Sequence, residues 1–238
     1  MSRPRPAGAV HQNGRVTSAT RAILLDALGT LVELEPPWVH LRAALGDGVP
    51  DDRLEAAVRA EMRYYRAHSD EGRDAASLAD LRRRCAGVLS RELGQGVDVD
   101  TLMEAIRFRP YPDAAPAIDD LRRRGVKLIC VSNWDCSLPR VLERCGLGDA
   151  LDGVVSSAAA GARKPDPEIF ASALALANCA PREALHVGDT AEEDVEGARA
   201  AGIRALLLVR EPLADRDGTA HPPESIASLR EIEDHLRP

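Results

Sequence analysis

The sequence predicts an α/β protein in which a parallel sheet carries helices on both faces. Short apolar runs recur along the chain with helical segments between them, which is typical of a parallel sheet. With 238 residues, of which 45% are apolar, the chain can bury a substantial core as one domain. The first two runs are separated by about a hundred residues, far more than a connecting loop needs, which indicates an inserted subdomain.

Five apolar runs are predicted to be the strands of this sheet. They lie at residues 22–26, 127–133, 153–157, 184–189 and 204–209. Apolar residues at helical spacing predict helices over residues 114–125 and 167–179, and the first of these ends at a glycine. The Pro- and Gly-rich stretch 211–223 is predicted to be a loop before a short terminal helix.

The insertion itself is predicted to be helical. Residues 38–108 are rich in Arg, Ala, Leu and Glu at helical spacing, and we interpret them as a small all-helical subdomain. The core would then comprise residues 21–37 and 109–238. The first twenty residues mix Arg, Pro, Gly and polar residues without the apolar segment of a signal peptide, so residues 1–20 are predicted to be a disordered tail.

Charge and composition narrow the functional class. A net charge of -7 and a pI near 5.4 argue against a nucleic acid or an anionic membrane as partner, and favour a small-molecule substrate. No apolar stretch reaches the length of about 20 residues that spans a bilayer. The five cysteines are odd in number and form no CxxC pair, which predicts reduced thiols in the cytoplasm. We expect a monomer or a homodimer.

Chemically functional residues follow the predicted strands at one edge of the sheet. In a parallel sheet, ligands bind in the crevice beyond the carboxyl ends of the strands. Carboxylates, a hydroxyl, an amide and one cation would meet there, which is a suitable site for a small anion held together with a divalent cation. These residues are Asp26, Ser132, Asn133, Lys164, Asp189 and Asp194.

Lys164 is the most informative of them, because only two of the 31 basic residues are lysines. A compact ammonium on a flexible stem can neutralise an anion or hold a carboxylate, and arginine is not equivalent. The other lysine, Lys127, begins a strand and is expected to be solvated. Taken alone, Asp26 fits a turn or a helix cap, and Asp189 and Asp194 fit the first turn of the next helix. Their occurrence in order at successive strand ends favours a shared site.

Four stretches resemble the haloacid dehalogenase superfamily, in the branch with a helical cap after the first strand. They read LLDALGTLV, ICVSNWD, ARKPDPEIF and HVGDTAEEDVEGARAAG, and they span nearly the whole ordered chain. The resemblance implies a Rossmann-like core in which Asp26 attacks the substrate covalently. It also implies that Ser132 binds phosphoryl oxygens and that Lys164 steadies the nucleophile and the anion. Thr30 and Asn133 are expected to bind substrate as well.

The resemblance also implies a magnesium ion, with one departure from the pattern of the family. Asp189 would hold the ion, and Asp194 would support either the metal or Lys164. Phosphatases of the superfamily usually carry Asp-x-Asp, but Leu28 stands here in place of the second acid. General acid–base catalysis contributes about 10²–10⁴-fold, so alcohol leaving groups would be turned over slowly. The metal is less affected, because in the family this position binds it through the backbone carbonyl.

Several functions compete at this point. Dehalogenases of the superfamily also lack the second acid, but their last motif generally lacks the Gly-Asp pair seen in GDTAEED. Phosphonoacetaldehyde hydrolase needs a lysine in its cap, and residues 38–108 contain none. A protein that binds a phosphorylated ligand with little turnover is a third alternative, although the intact Asp26 argues against it. A magnesium-dependent phosphohydrolase with altered acid–base chemistry is the preferred interpretation.

Some polar residues outside the motifs are candidates for accessory roles. Four could replace the missing acid, although exposed or structural roles are expected for them: Glu33, Glu35, His40 and Asp135. Four arginines of the helical subdomain could meet an anionic substrate, although most are expected to form a solvated face: Arg42, Arg53, Arg59 and Arg63. The identity of the substrate does not follow from the motifs.

Overall fold

The computed structural model describes residues 19–210 and 224–237, without the side chain of Asp47. The predicted tail therefore lies almost wholly outside the described residues, as does the loop predicted at 211–223. The α-helices are α1 (Pro37–Leu45), α2 (Asp51–His68), α3 (Ala75–Leu93), α4 (Val99–Ala105), α5 (Ala114–Arg123), α6 (Leu138–Arg144), α7 (Ser157–Ala160), α8 (Pro167–Ala177) and α9 (Gly197–Ala200). Short 3-10 helices lie at Gly46–Gly48, Ser69–Glu71, Gly148–Ala150, Pro181–Glu183 and Leu229–His235, and a π-helix at Ala191–Glu196.

Six strands form one parallel sheet in the order β5-β4-β1-β6-β7-β8. They are β1 (Ala22–Leu25), β4 (Lys127–Ser132), β5 (Gly153–Ser156), β6 (Ala184–Gly188), β7 (Arg204–Leu208) and β8 (Ser225–Ile226). The central strand β1 pairs with β4 on one side and β6 on the other. All four residues of β1 are buried because helices cover both of its faces. The predicted α/β class is confirmed.

Each face of the sheet has its own apolar layer. On one face, side chains of α5, α6 and the terminal 3-10 helix, such as Ile118, Leu142 and Ile232, pack against the strands. On the other face, Phe170 of α8 and Ala198 of α9 do the same. None of the helices among the described residues combines the length and the apolar character that a bilayer crossing requires.

Between β1 and β4, helices α1 to α4 pack on one another and form a third apolar cluster. We call residues 37–105 the helical insert. Leu54 and Val58 of α2 face Leu81 and Leu89 of α3 within this cluster. The side chain of Asp74 caps α3 by accepting backbone N–H groups of its first turn. Helix α1 begins at Pro37 and α4 ends at Ala105, and the boundaries predicted from composition are 38 and 108.

Two short strands join the helical insert to the sheet domain. Strand β2 (Val32–Leu34) leads into the insert and β3 (Phe108–Pro110) leads out of it. The two strands are antiparallel, with Val32 opposite Pro110 and Leu34 opposite Phe108. The chain therefore leaves and re-enters the sheet domain through one hydrogen-bonded ladder.

Replacing Phe170 with alanine is expected to lower the free energy of unfolding by about 3–5 kcal/mol, because a large buried side chain would leave a cavity. Phe170 is 0% exposed, and its ring contacts the His186 ring edge to face at 5.2 Å between centroids. Leu176→Ala on the same helix is the control, since Leu176 is 56% exposed, and we expect a loss below about 1 kcal/mol. Urea unfolding of both variants measures the difference. Equal losses would contradict this packing.

Candidate active site

The Lys164 ammonium lies between two carboxylates at the carboxyl edge of the sheet. Its Nζ is 2.5 Å from Asp26 Oδ1 and 2.5 Å from Asp194 Oδ1. Lys164 is only 2% exposed, and both acids are buried as well. A buried ion pair is stable only when each charge has partners that replace water, and here one cation serves two anions. The arrangement joins the end of β1, the loop after β5 and the π-helix after β6.

The protonation of this triad follows from burial and from the charges within it. Burial lowers the pKa of Lys164, but the Asp26 and Asp194 carboxylates outweigh that effect and hold it above its usual range. Burial raises the pKa of Asp194, but Lys164 and His186 outweigh burial and hold it below its usual range. For Asp26, burial and the Asp194 carboxylate outweigh the Lys164 ammonium and the Ser132 hydroxyl and raise the pKa above its usual range. Lys164 is therefore charged and Asp194 ionised at neutral pH.

Asp26 directly follows β1, and its backbone N–H donates to the Val187 carbonyl at 2.9 Å. Its Oδ1 also accepts a 2.9 Å hydrogen bond from Ser132 Oγ, at the end of β4. No described residue donates to Oδ2 of Asp26, which lines an open cleft. The structure thus brings together Asp26, Ser132 and Lys164, which were all predicted to belong to the site. The second Asp26 oxygen has no hydrogen-bond donor among the described residues.

Asp194 is fully engaged by protein donors. Besides Lys164, His186 Nε2 lies 2.9 Å from Oδ1, and the Thr190 backbone N–H donates to Oδ2 at 3.0 Å. Gly188 is required here, because a Cβ on it would lie 2.1 Å from the Asp194 Cγ. The resemblance implies that Asp194 supports either the metal or Lys164, and this geometry favours Lys164. His186 was not among the predicted site residues. Its only signal in the sequence is that it is a histidine within a buried apolar strand.

Asn133 borders the cleft, so its contact with substrate stays a prediction, and its side chain also has partners in the protein. Its side-chain amide donates to the Lys164 carbonyl and to Glu193 Oε2, both at 3.0 Å, and its Oδ1 accepts from the Lys164 backbone N–H at 2.8 Å. It therefore positions the Lys164 loop while its side chain borders the cleft. Thr30 is placed differently: it is 0% exposed, and its hydroxyl has no partner among the described residues.

The loop after β1 is held by an arginine that the motifs do not reveal. Arg210 donates to the carbonyls of Gly29, at 3.1 Å, and Thr30, and it pairs with Asp113 at 2.9 Å. Its guanidinium also lies 3.7 Å from the ring centroid of Tyr111. Gly29 has a φ of 87°, and a Cβ there would lie 2.1 Å from Asp189 Oδ2. The tight loop therefore allows the Asp189 carboxylate to approach the backbone beside Asp26.

Asp26, Asp189 and Asp194 form the acidic cluster to which a metal could bind. One oxygen from each lies within 4.8 Å of the others. Burial, Asp26 and Asp194 together raise the pKa of Asp189 to about 6, because its negative charge is poorly compensated. Hard oxygen ligands with excess negative charge suit Mg²⁺, so these residues fit that ion. The Leu28 carbonyl accepts no hydrogen bond from the described backbone and is also available.

These groups border a cleft of about 660 Å³ between the sheet edge and the helical insert. We call it the polar cleft. Asp26, Ser132, Lys164 and Asp189 lie on its sheet side. Its opposite side is formed by residues near the insert, which are Leu34, Pro36, Pro37, Trp38, Met62 and Arg66.

Most accessory candidates have other partners. Glu35 binds His40 at 2.9 Å, and Glu33 pairs with Arg109 at 2.9 Å although it borders the polar cleft. Asp135 is 3% exposed and accepts hydrogen bonds from Tyr65 and Ser137. None of the four candidate arginines of the insert borders the cleft among the described residues: Arg42, Arg53, Arg59 and Arg63.

Arg66 is the insert arginine that does border the polar cleft. Arg66 was not among the predicted residues, since several arginines share helix α2. Which of them reaches the cleft depends on how α2 is rotated against the sheet domain.

Comparison with known proteins identifies the family. The profile described as haloacid dehalogenase-like hydrolase matches residues 20–202, which is most of the chain. The chain belongs to the haloacid dehalogenase-like hydrolase family. It is therefore a hydrolase by family, as the four motifs predict.

Individual relatives agree with this family. Haloacid dehalogenase-like hydrolase domain-containing protein 3 from Mus musculus is 42% identical, over 87% of this chain and 89% of that protein. Phosphoserine phosphatase from Thermus thermophilus is 38% identical over 54% of this chain, and the match spans 52% of that protein. The chain spans only 37% and 38% of the bovine and human relatives of the mouse protein.

A solved structure supports the fold of this family member. The L-2-haloacid dehalogenase from Xanthobacter autotrophicus matches with a TM-score of 0.68 at 22% identity, over 90% of this chain and 97% of that chain. At this identity the likeness concerns the fold alone.

Lys164→Met is expected to lower the free energy of unfolding by about 3–5 kcal/mol near neutral pH, because two buried carboxylates lose their cation. In the parent, Asp194 has a lower pKa in the folded state than in the unfolded state. Its ionisation therefore stabilises the fold at every pH above the pKa of an ordinary aspartate, and this stabilisation is lost as the pH falls to the lowered pKa of the folded state. Without Lys164, the buried carboxylates would have raised pKa values instead. The deficit of the variant should then be smaller at about pH 5 than at about pH 8.

The control for this prediction is Lys127→Met, which changes the only other lysine of the sequence. Lys127 pairs with Asp152 at 2.7 Å, but its side chain is 57% exposed, so a small loss without this pH dependence is expected. Urea unfolding in chelator at both pH values provides the measurement. A Lys164→Met deficit that stays constant with pH would contradict the buried triad.

Proposed function

We propose that the protein is a magnesium-dependent phosphohydrolase that acts on a small phosphorylated metabolite through an aspartyl intermediate at Asp26. The observation that carries this proposal is that the two oxygens of the Asp26 carboxylate have different surroundings. Asp26 Oδ1 is held by Lys164 and Ser132, whereas Oδ2 lines the polar cleft without a described donor. A nucleophile held in this way is oriented for attack before substrate binds. The phosphatase among the relatives supports the same chemistry.

The proposed reaction has two steps. Asp26 Oδ2 forms a bond to the substrate phosphorus, the bond between phosphorus and the leaving oxygen breaks, and its electron pair stays on that oxygen. Water then attacks the aspartyl phosphate, which releases inorganic phosphate and regenerates the Asp26 carboxylate. Lys164 and Ser132 would bind phosphoryl oxygens as well as Asp26, and their charge and dipole would oppose the negative charge of the transferring group.

Magnesium would be held by Asp26, Asp189 and the backbone carbonyl of Leu28, with Asp194 behind them. A bound magnesium ion supplies Lewis-acid stabilisation of phosphoryl oxygens. Asp189 supports this assignment because its carboxylate lies in a position where a cation would relieve repulsion from its two acidic neighbours. Without a cation, the cluster of carboxylates would repel a phosphate ester.

Leu28 determines which leaving groups the proposed enzyme can handle. Where the family's phosphatases place a general acid, this chain has an apolar side chain, partly buried against the sheet core. The leaving oxygen must then depart as an anion or take its proton from water. Esters of acidic alcohols, such as phenols and enols, are the substrates that tolerate this arrangement.

Two other functions have some support. A 2-haloacid dehalogenase also needs no proton donor for its leaving group, which agrees with Leu28, but it has no use for Asp189 beside Asp26. A phospho-ligand-binding protein with little turnover would not need the free Asp26 oxygen. We further propose that the protein works in the cytoplasm, on a small molecule, as a monomer or homodimer.

We expect hydrolysis of phenyl phosphate that requires magnesium, is abolished by chelator, and is lost in Asp26→Asn, since an amide is not a comparable nucleophile. Asp119→Asn is the matched control, because Asp119 is exposed and does not line the polar cleft. Phosphate release with each variant, together with a thermal melt, gives the measurement. Equal rates in chelator would overturn the metal assignment, and chloride release from 2-chloropropionate would favour the dehalogenase function instead.

Leu28→Asp is expected to raise the kcat/KM of an alkyl phosphate relative to an aryl phosphate by about 10²-fold, the contribution of one general acid–base residue. Aryl phosphates should gain less, because their leaving groups scarcely need a proton. Val39→Asp, which adds a carboxylate at a side chain that is 56% exposed, controls for the change in charge. An unchanged ratio in a folded Leu28→Asp variant would tell against the phosphatase-like site.

A further inference from the structure

A second cavity adjoins the polar cleft, and Leu28 lies between them. This apolar cavity has a volume of about 130 Å³, roughly ten times the space that a single water molecule requires. Both spaces share a wall made of five residues, which are Leu28, Leu34, Met62, Arg66 and Asn133. A group attached to a phosphoryl group at Asp26 would therefore meet Leu28 and, beyond it, this cavity.

Apolar side chains from the helical insert and from the sheet domain form about half of the remaining lining of the apolar cavity. They include Leu102, Met103, Ile106, Phe108, Trp134 and Val141. Removing apolar surface from water is favourable, so this part of the lining favours an apolar group. Three arginines, Arg66, Arg82 and Arg144, also border the cavity. The Phe108 and Trp134 rings, 5.0 Å apart and tilted by 55°, are both available for edge or face contact with an aromatic ring.

One acceptor in this lining lacks a strong donor. Glu61 of α2 is 5% exposed, and burial raises the pKa of its carboxyl, with only the Cys85 thiol acting in the opposite direction. No lysine or arginine among the described residues forms an ion pair with the Glu61 carboxyl group. Asp135, by contrast, accepts hydrogen bonds on both oxygens, from Tyr65 and Ser137. A thiol is a weak donor for a buried carboxyl, so a stronger donor from a ligand would stabilise Glu61.

We propose that the apolar cavity binds the leaving group of the substrate, and that Glu61 accepts a hydrogen bond from an ammonium or hydroxyl group at the far end of it. The substrate class is then a phosphate ester of a phenol whose ring carries a short side chain ending in a donor. This inference rests on the proposed phosphohydrolase function. It agrees with Leu28, because a phenolic leaving group needs no general acid and its ring can cross an apolar side chain.

The test uses three phenyl phosphates that differ only in the group at the para position: 2-aminoethyl, 2-hydroxyethyl and ethyl. In the parent enzyme, the two donor-bearing esters should exceed the ethyl ester in kcat/KM by about tenfold or more, because only they satisfy Glu61. Glu61→Leu should abolish this preference. Glu61→Gln, which keeps a carbonyl acceptor but no charge, should retain the preference for hydroxyl and lose most of that for ammonium.

Each comparison is a ratio between esters within one protein, so a partial loss of folding cancels. Glu55→Gln on the same helix is the control, since the Glu55 carboxylate pairs with Arg59 at the surface, and the preference should persist in it. Equal kcat/KM for the three esters in the parent, or a preference that survives Glu61→Leu, would overturn the inference while leaving the phosphohydrolase intact. Absence of hydrolysis of all three esters and of phenyl phosphate would overturn the proposed function together with it.

Discussion

The buried ammonium of Lys164 is the interaction on which the site depends. Asp26 after β1 and Asp194 after β6 each place a carboxylate on this cation, and Asn133 after β4 holds the backbone of the Lys164 loop. One positive charge faces two carboxylates within the triad, and Asp189 adds a third nearby. The sheet edge thus combines a fixed cation with an excess of negative charge, and that excess is what a divalent ion and a phosphoryl group would together balance.

Much of this arrangement could be predicted, because parallel strands deliver their carboxyl ends to one edge regardless of the details of packing. Asp26, Ser132 and Lys164 each stand at such an end, and their convergence follows from topology. Strands β2, β3 and β8 could not be predicted, since two or three residues carry no periodic pattern. Hydrogen bonds decide such short elements, and sequence spacing does not encode them.

The roles of individual polar residues were harder to predict than their positions. Asn133 stands where a substrate ligand was expected, yet its amide holds the Lys164 loop. Arg66 reaches the polar cleft whereas four other arginines of the insert do not, which depends on how α2 is rotated against the sheet domain. Arg210 clamps the loop after β1 from a position about 180 residues along the chain, and such a contact has no local signature.

An apolar side chain at position 28 is consistent with the apolar cavity beside it. A carboxylate at this position would lie on the wall that the polar cleft shares with an apolar space, where desolvation would raise its pKa and destabilise it. Losing the acid and gaining the cavity are therefore compatible changes. In the proposed enzyme, the apolar surface would select the leaving group by shape and polarity in place of proton transfer to it.

The β2–β3 ladder has a consequence for how such a protein can change during evolution. Since the chain leaves and re-enters the sheet domain through two hydrogen-bonded strands, the ends of the helical insert lie side by side. A different set of helices joined to the same ladder would need no new connection to the sheet, and its closure entropy would already be met. The insert is thus an exchangeable module, and recombination at Leu34 and Phe108 would transplant a leaving-group pocket while the Lys164 triad stayed in place.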